Sequence, residues 1–187
     1  MNIPLTKTEF TPEDLLTLPD GPRYELVDGR LVERHLGANS SRAGMRLGAL
    51  LDTYVTAQKL GYVFGSDCGF QCFPNRPRLA RLPDVSFVAR GRLPNEEIPD
   101  GHVQIPPELA VEAVSPNDLA DEVDDKIEGY LGVGVPLVWV IYPRTRSVMV
   151  FRADGSVSRL KGGDELSGEK VVPGFSCRVA DLFPSPA

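Results

Sequence analysis

The chain has 187 residues, 42% of them hydrophobic, and a formal net charge of −6. That is enough for one substantial core, too little for two ordinary domains, and the wrong overall sign for a protein that coats nucleic acid by bulk electrostatics. No run approaches the ~20 apolar residues of a bilayer-spanning helix, and MNIPLTKTEF lacks a signal peptide's apolar core, so a single cytoplasmic domain spanning residues 1–187 is expected, with no membrane partner.

Residues 11–18, TPEDLLTL, carry a helix start: Thr11 as N-cap, Pro12 in the first turn, then acids and leucines. RYELVDGRLVER follows, where Asp28-Gly29 between alternating β-prone runs signals a two-residue hairpin that sets Leu26 opposite Leu31 and Glu25 opposite Val32. From Ser40 to Leu60 apolar residues recur at helical spacing, with Asn39 or Ser40 as cap and Gly61 as stop. The other face of that helix carries Arg42 and Arg46, either solvated charges or phosphate contacts, and the solvated reading is preferred.

Tyr62 to Phe73 reads as one strand or a bent one, with Gly65 and Gly69 marking a bulge or kink. The Arg-rich loop PNRPRLARLP leads to a short strand beginning at Asp84, and ARGRLPNEEIPDGHVQIPP is long enough to be a functional loop or one ordered by its neighbours. Leu109–Val114 is a nearly continuous apolar run, the pattern of a strand covered on both faces. An acidic helix follows with Ser115 and Pro116 as its start. Pro136–Tyr142 is a second buried strand, Arg146–Leu160 a hairpin turning at Asp154-Gly155, and VVPGFSCRVADLF a last strand and helical turn. Strands outnumber helices, so the fold expected is a mixed sheet with helices against it. Cys68, Cys72 and Cys177 are an odd count without zinc-ligand spacing, since His35 and His102 are isolated, and read as ordinary apolar residues.

Chemistry concentrates in ELAVEAVSPNDLADEVDDKIEGY. At about 100° per residue, Leu119, Val123, Ile127, Tyr130 and Leu131 form an apolar stripe that includes Lys126 at its edge, while Asp121, Asp124, Asp125 and Glu128 point to solvent. Lys126 alone could snorkel past the core or pair with Glu122, and Glu112 alone could accept hydrogen bonds from the next helix cap. Together they suggest more. Glu112 lies inside LAVEAV, where an unpaired buried charge costs several kcal/mol, and Asp84 opens another apolar strand. Two inward carboxylates are reconciled by a divalent cation, and hard oxygen ligands favour Mg2+ or Mn2+. Asp84 and Glu112 would be ligands, with the Ala113 carbonyl as another oxygen, and Lys126 would position water and stabilise the transition state of phosphodiester cleavage.

TPEDLLTLP, YELVDGRLVE, LPDVSFV, ELAVEAVSP, the Lys126-x-x-x-Tyr130 spacing and GVPLVWVIYP, taken in order, resemble the Uma-type restriction endonucleases of the PD-(D/E)XK nuclease superfamily over nearly the whole chain. The resemblance implies an α/β (mixed α+β) restriction-endonuclease-like core, a central mixed β-sheet flanked by helices with peripheral β-hairpins. It implies a DNA endonuclease with Asp84 and Glu112 as the superfamily acids and Glu25 as an additional acid. The superfamily lysine normally lies two residues after the second acid, a place held here by Val114, so the resemblance implies a lysine migrated to Lys126. Arg76, Arg78, Arg81, Arg90 and Arg92 flank Asp84 as either a basic patch for DNA or an ordinary Arg-rich loop. Cutting two strands favours a homodimer or higher homo-oligomer. The competing expectation is an inactive oligomeric nucleic-acid-binding or scaffold protein in which Glu112 and Lys126 form a structural ion pair.

Overall fold

The computed structural model describes residues 8–35 and 37–183. In chain order it contains α1 (Pro12–Thr17), β1 (Tyr24–Val27), β2 (Arg30–Glu33), α2 (Ala38–Gln58), β3 (Gly61–Gly65), β4 (Val85–Ala89), β5 (Leu109–Ala113), α3 (Ala120–Gly132), β6 (Leu137–Tyr142), β7 (Ser147–Arg152), β8 (Val157–Lys161), β9 (Glu165–Ser167) and β10 (Ser176–Arg178). Six strands form the central sheet in the order β3-β4-β5-β6-β7-β8, with β1-β2 and β9-β10 as separate hairpins. Within the central sheet β5 and β6 run parallel and the other neighbours antiparallel. A parallel pair needs a crossover, and α3 supplies it.

Because side chains alternate across a strand, the sheet presents two apolar faces. On one, Val85, Phe87, Val111 and Trp139 pack against Leu47, Leu51 and Val55 of α2. On the other, Val88, Ala110, Val138 and Val140 pack near Ile127 and Tyr130 of α3. Covering both faces is why β5 and β6 read as unbroken apolar runs. A smaller cluster, Phe10, Leu15, Leu26, Ala80 and Leu82, seats the β1-β2 hairpin. Leu26 N–H donates to Ala80 O at 3.1 Å and Ala80 N–H returns to Leu26 O at 2.9 Å, so β1 is fixed to the segment that leads into β4.

The mixed sheet flanked by helices is the architecture expected from the sequence, and the β1-β2 register has Glu25 opposite Val32 and Leu26 opposite Leu31. Thr11 caps α1 through a reciprocal box with Asp14. Other boundaries differ. The long helix begins at Ala38 after Gly37 and is stopped by Lys59 in the left-handed region (φ 56°), ahead of Gly61. The strand from Tyr62 ends at Gly65, because Phe70 instead bridges Arg81 and Val103. That bridge orders the long 89–107 connection, in which His102 is buried with its ring against Pro12 O at 2.9 Å. Ser115-Pro116 does not start α3: Ser115 N–H donates to Asp118 at 2.7 Å in a turn, and the helix starts at Ala120 with Leu119 as an exposed N-cap, not part of the apolar stripe. Most of MNIPLTKTEF lies outside the described residues. Among those described, no helix is long and apolar enough to cross a membrane.

Candidate active site

The tight β1-β2 turn is set by Asp28 (φ 50°) and Gly29 (φ 84°), the positive angles of a two-residue type I′ hairpin. With the register fixed, Leu26 enters its apolar cluster and Glu25 points the other way, toward the ends of β4 and β5. There its carboxylate is buried and accepts from Leu82 N–H at 3.1 Å and from Arg81 at 2.9 Å. Asp84 directly precedes β4. Its N–H continues the ladder to Val111 O at 2.9 Å, and its carboxylate accepts from Ala113 N–H at 2.7 Å and from Arg34 at 3.0 Å. Glu112, on β5, alternates with Ala113 and so faces α3. Lys126 and Tyr130, one helical turn apart, converge on it: Lys126 Nζ lies 3.0 Å from Glu112 Oε2, and Tyr130 Oη donates to Glu112 Oε1 at 2.7 Å. The same ammonium lies 3.0 Å from Glu25 Oε1.

Burial pushes the Glu112 carboxyl up to about 7; Lys126 opposes that shift and Asp84 and Glu25 reinforce it. Burial likewise raises Asp84, against its bonds from Ala113 and Arg34. At Glu25 burial is outweighed by Lys126 and Arg81 together, and the carboxyl is held below its ordinary range. Lys126 is raised despite burial, because two carboxylates favour its charged form. The result is a desolvated cluster of three acids around one ammonium, with more negative charge than Lys126 neutralises.

The four candidate residues line one cleft of about 1140 Å³, whose walls carry, among the described residues, ten carboxylates against three permanently charged cations, Arg34, Arg81 and Lys126. Among the described residues no three Asp, Glu, His or Cys side chains close on one point as a metal cage. Magnesium does not require one: it binds through one or two carboxylates and fills the remaining octahedral positions with water and substrate phosphate. Asp84 and Glu112, brought from adjacent strands into one cleft, are the two carboxylates that could hold such an ion. Each of their oxygens accepts one protein hydrogen bond, which leaves lone pairs for a cation.

Four further residues belong to this network. Tyr130 had its signal in the spacing from Lys126. Arg81, buried inside the apolar run LARL, binds both Glu25 and Asp125. Asp125 is therefore not merely solvated, as the helical wheel implied, but reaches Arg81 and Arg76. Arg34 carries no sequence signal; it is held by Ser66 O at 2.6 Å as well as by Asp84. Glu122 does not pair with Lys126 and turns back to Leu119 N–H at 3.5 Å. The arginine run around Asp84 is not a bare basic patch. Arg76 pairs with Asp28, Arg78 with Glu9, Arg81 with Glu25 and Arg92 with Glu108.

Comparison with known proteins gives a family and a fold. The family model Uma2, described as "Putative restriction endonuclease", matches residues 12–180. A crystal structure from Anabaena variabilis, described as a putative nuclease belonging to DUF820, superposes with a TM-score of 0.77 at 20% identity, covering 93% of this chain and 97% of that one. No curated protein matches the chain.

Proposed function

The chain belongs to the Uma2 family of putative restriction endonucleases, and from that premise we propose that it is a magnesium-dependent endonuclease hydrolysing DNA phosphodiester bonds. The observation that carries the reading is the position of Lys126, whose ammonium stands 3.0 Å from both Glu25 and Glu112 in the cleft that Asp84 also lines. Asp84 and Glu112 would hold the cation, Mg2+ or Mn2+, with the Ala113 carbonyl beside them. When bound, such a cation lowers the pKa of a water and offsets charge growing on the phosphate.

The chain's own groups have separate tasks. Lys126 orients the attacking water and places a fixed positive charge where the transition state accumulates negative charge. Glu25 keeps that ammonium protonated and in place, itself braced by Arg81. Tyr130 holds the Glu112 carboxylate to one orientation, so Glu112 presents an oxygen to the cleft without reorganising. Val114, at the superfamily's usual lysine position, contributes no charge, and α3 returns the lysine from fourteen residues after Glu112. A homodimer would place two such sites on opposite strands.

Plasmid nicking with magnesium tests this. Wild type is expected to nick, and Asp84→Ala and Lys126→Ala are expected to lose at least ~100-fold in rate, the scale of removing one preorganised charge-stabilising group. Equal nicking by all three would defeat the assignment. One observation favours a second reading, a non-cutting scaffold: every oxygen of Asp84 and Glu112 already accepts a protein donor. Calorimetric titration with magnesium or manganese separates the two, since binding abolished by Asp84→Ala counts against the scaffold.

A further inference from the structure

The cleft that houses the candidate site is a poor surface for a polyanion outside the metal position, because its walls carry ten carboxylates. Positive charge lies elsewhere. Of the fifteen arginines in the chain, eight form ion pairs with carboxylates among the described residues: Arg23, Arg34, Arg76, Arg78, Arg81, Arg92, Arg152 and Arg178. Four of the remaining seven gather on one surface. Arg42, Arg144 and Arg146 line a pocket of about 420 Å³ together with Asn39, and no Asp or Glu lines it. Arg46 stands one turn along α2 from Arg42 and donates to the main-chain carbonyl of Asp181 at 3.2 Å.

Two of these guanidinium groups are tied by main-chain carbonyls and not by a carboxylate: Arg46 at Asp181 O, and Arg146 at Phe183 O, where it also lies over the Phe183 ring. The Asp181 carboxylate, whose field reaches Arg46, is itself held by Arg178 at 2.8 Å. Arg42 and Arg144 are exposed and have no hydrogen-bond or ion-pair partner for their guanidinium groups among the described residues. An acid-rich chain that leaves these charges uncompensated, converging from α2 and from the turn after β6, presents a local anion-binding surface.

The surface is placed to serve the cleft. β5 and β6 are parallel and end side by side, so Pro143 and Arg144 emerge at the same end of the sheet as Glu112. The first two turns of α2 form the wall between the two cavities: Ser40, Ser41 and Gly44 face the cleft, and Asn39 and Arg42 face the arginine pocket. One helix diameter, about 10 Å, therefore separates them. We propose that the Arg42–Arg144 pocket, extended by Arg46 and Arg146, binds the phosphodiester backbone of the nucleic-acid substrate a few nucleotides from the scissile bond. This rests on the nuclease reading above and supplies what the acidic cleft lacks, a sequence-independent grip on the strand.

The test is fluorescence anisotropy with a fluorescein-labelled DNA duplex across a salt series. Calcium is added in place of magnesium, to occupy a hard-oxygen site with a larger and less octahedral ion that slows cleavage. The protein is compared with Arg42→Ala/Arg144→Ala and with a control pair of exposed arginines elsewhere that have no ion-pair partner among the described residues, Arg30→Ala/Arg159→Ala. Each phosphate contact contributes ~0.9 to the slope of log K against log salt. The first pair is expected to lower the slope by about 1.8 and weaken binding roughly 10- to 60-fold at ~0.1 M salt, uniformly across sequences, with Arg42→Lys/Arg144→Lys restoring most of the slope. The control pair should change neither. If wild type binds the duplex and Arg42→Ala/Arg144→Ala binds it with the same affinity and slope, the proposal falls and the nuclease reading stands. If wild type neither binds nor nicks DNA, both fall.

Discussion

Replacing Lys126 by methionine keeps an unbranched side chain one atom shorter and removes the charge that two buried carboxylates share. Stranding a buried charge typically costs 3–5 kcal/mol. Here the loss should sit at the lower end, about 3 kcal/mol, for two reasons visible in the structure. Glu112, pushed by burial up to about 7, is already partly protonated at neutral pH and completes that protonation once Lys126 is gone, and Glu25 keeps Arg81 and the Leu82 N–H. For a chain of this size that corresponds to roughly 6–12 °C in Tm. The pH dependence follows in sign. Because Glu112 lies above its ordinary 4.5 in the folded state, its contribution to stability is fully present below 4.5 and lost as pH rises through about 7. Without Lys126 its folded pKa rises further, so wild type and variant lose stability in parallel up to neutrality and diverge above it. Urea unfolding followed by fluorescence of the buried Trp139, in EDTA from pH 5 to 9, reads this out. Magnesium at a hundredfold excess over Kd should raise the stability of the variant, as of wild type, by about 2.7 kcal/mol, while plasmid nicking by the variant stays lost. A deficit that is flat above pH 7, or a melting curve unmoved by magnesium in both proteins, would refute the assignment of Lys126 as the charge that stands beside the proposed metal ligands.

The other predictions concern the groups around that centre. Tyr130→Phe removes the 2.7 Å hydrogen bond to Glu112, which should cost about 1.5–3 kcal/mol in urea and shift the nicking optimum to higher pH, since that bond helps hold the Glu112 carboxyl down. Arg81→Lys should destabilise by a similar amount in the same assay, because a single ammonium cannot span Glu25 and Asp125 as the guanidinium fork does. Burial raises the thiols of Cys68 and Cys177 to about 11 and of Cys72 to about 12, so iodoacetamide at pH 8 should label the native chain far more slowly than the urea-unfolded chain. Gly69→Ala would set a methyl 2.2 Å from His102 Nδ1, and should destabilise by about 1–3 kcal/mol in thermal melts as the 89–107 connection is pushed off Phe70.

What was legible in the sequence and what was not divides by the range of the forces involved. The Asp28-Gly29 hairpin and its register were readable because a two-residue turn and a period of two determine both. The start of α3 was not: Ser115-Pro116 has the local chemistry of a helix cap, but Ser115 is taken by Asp118 and by the hydroxyl of Ser40, 75 residues earlier. The strand after Tyr62 was overrun for the same reason, since Phe70 finds its partners in Arg81 and Val103. Within the candidate site, Glu112 and Asp84 stood out as charges in apolar strands and Lys126 as the one cation on an acidic helix, whereas Glu25 came only from resemblance.

Arg81 shows the same anomaly as Glu112, a lone charge in LARL, but its arginine-rich flanks left it open whether it belonged to a basic patch or to an ordinary Arg-rich loop. Its burial bears on how the protein manages charge. The arginines nearest the cleft neutralise acids: Arg81 braces Glu25, Arg76 reaches Asp28 and Asp125, and Arg34 holds Asp84. Positive charge needed to build the site is therefore not free to bind a polyanion at its mouth, and a substrate grip must be placed where no carboxylates compete. The far side of α2, where Arg42 and Arg144 line one pocket whose described lining residues include no Asp or Glu, satisfies that requirement across the helix from the cleft.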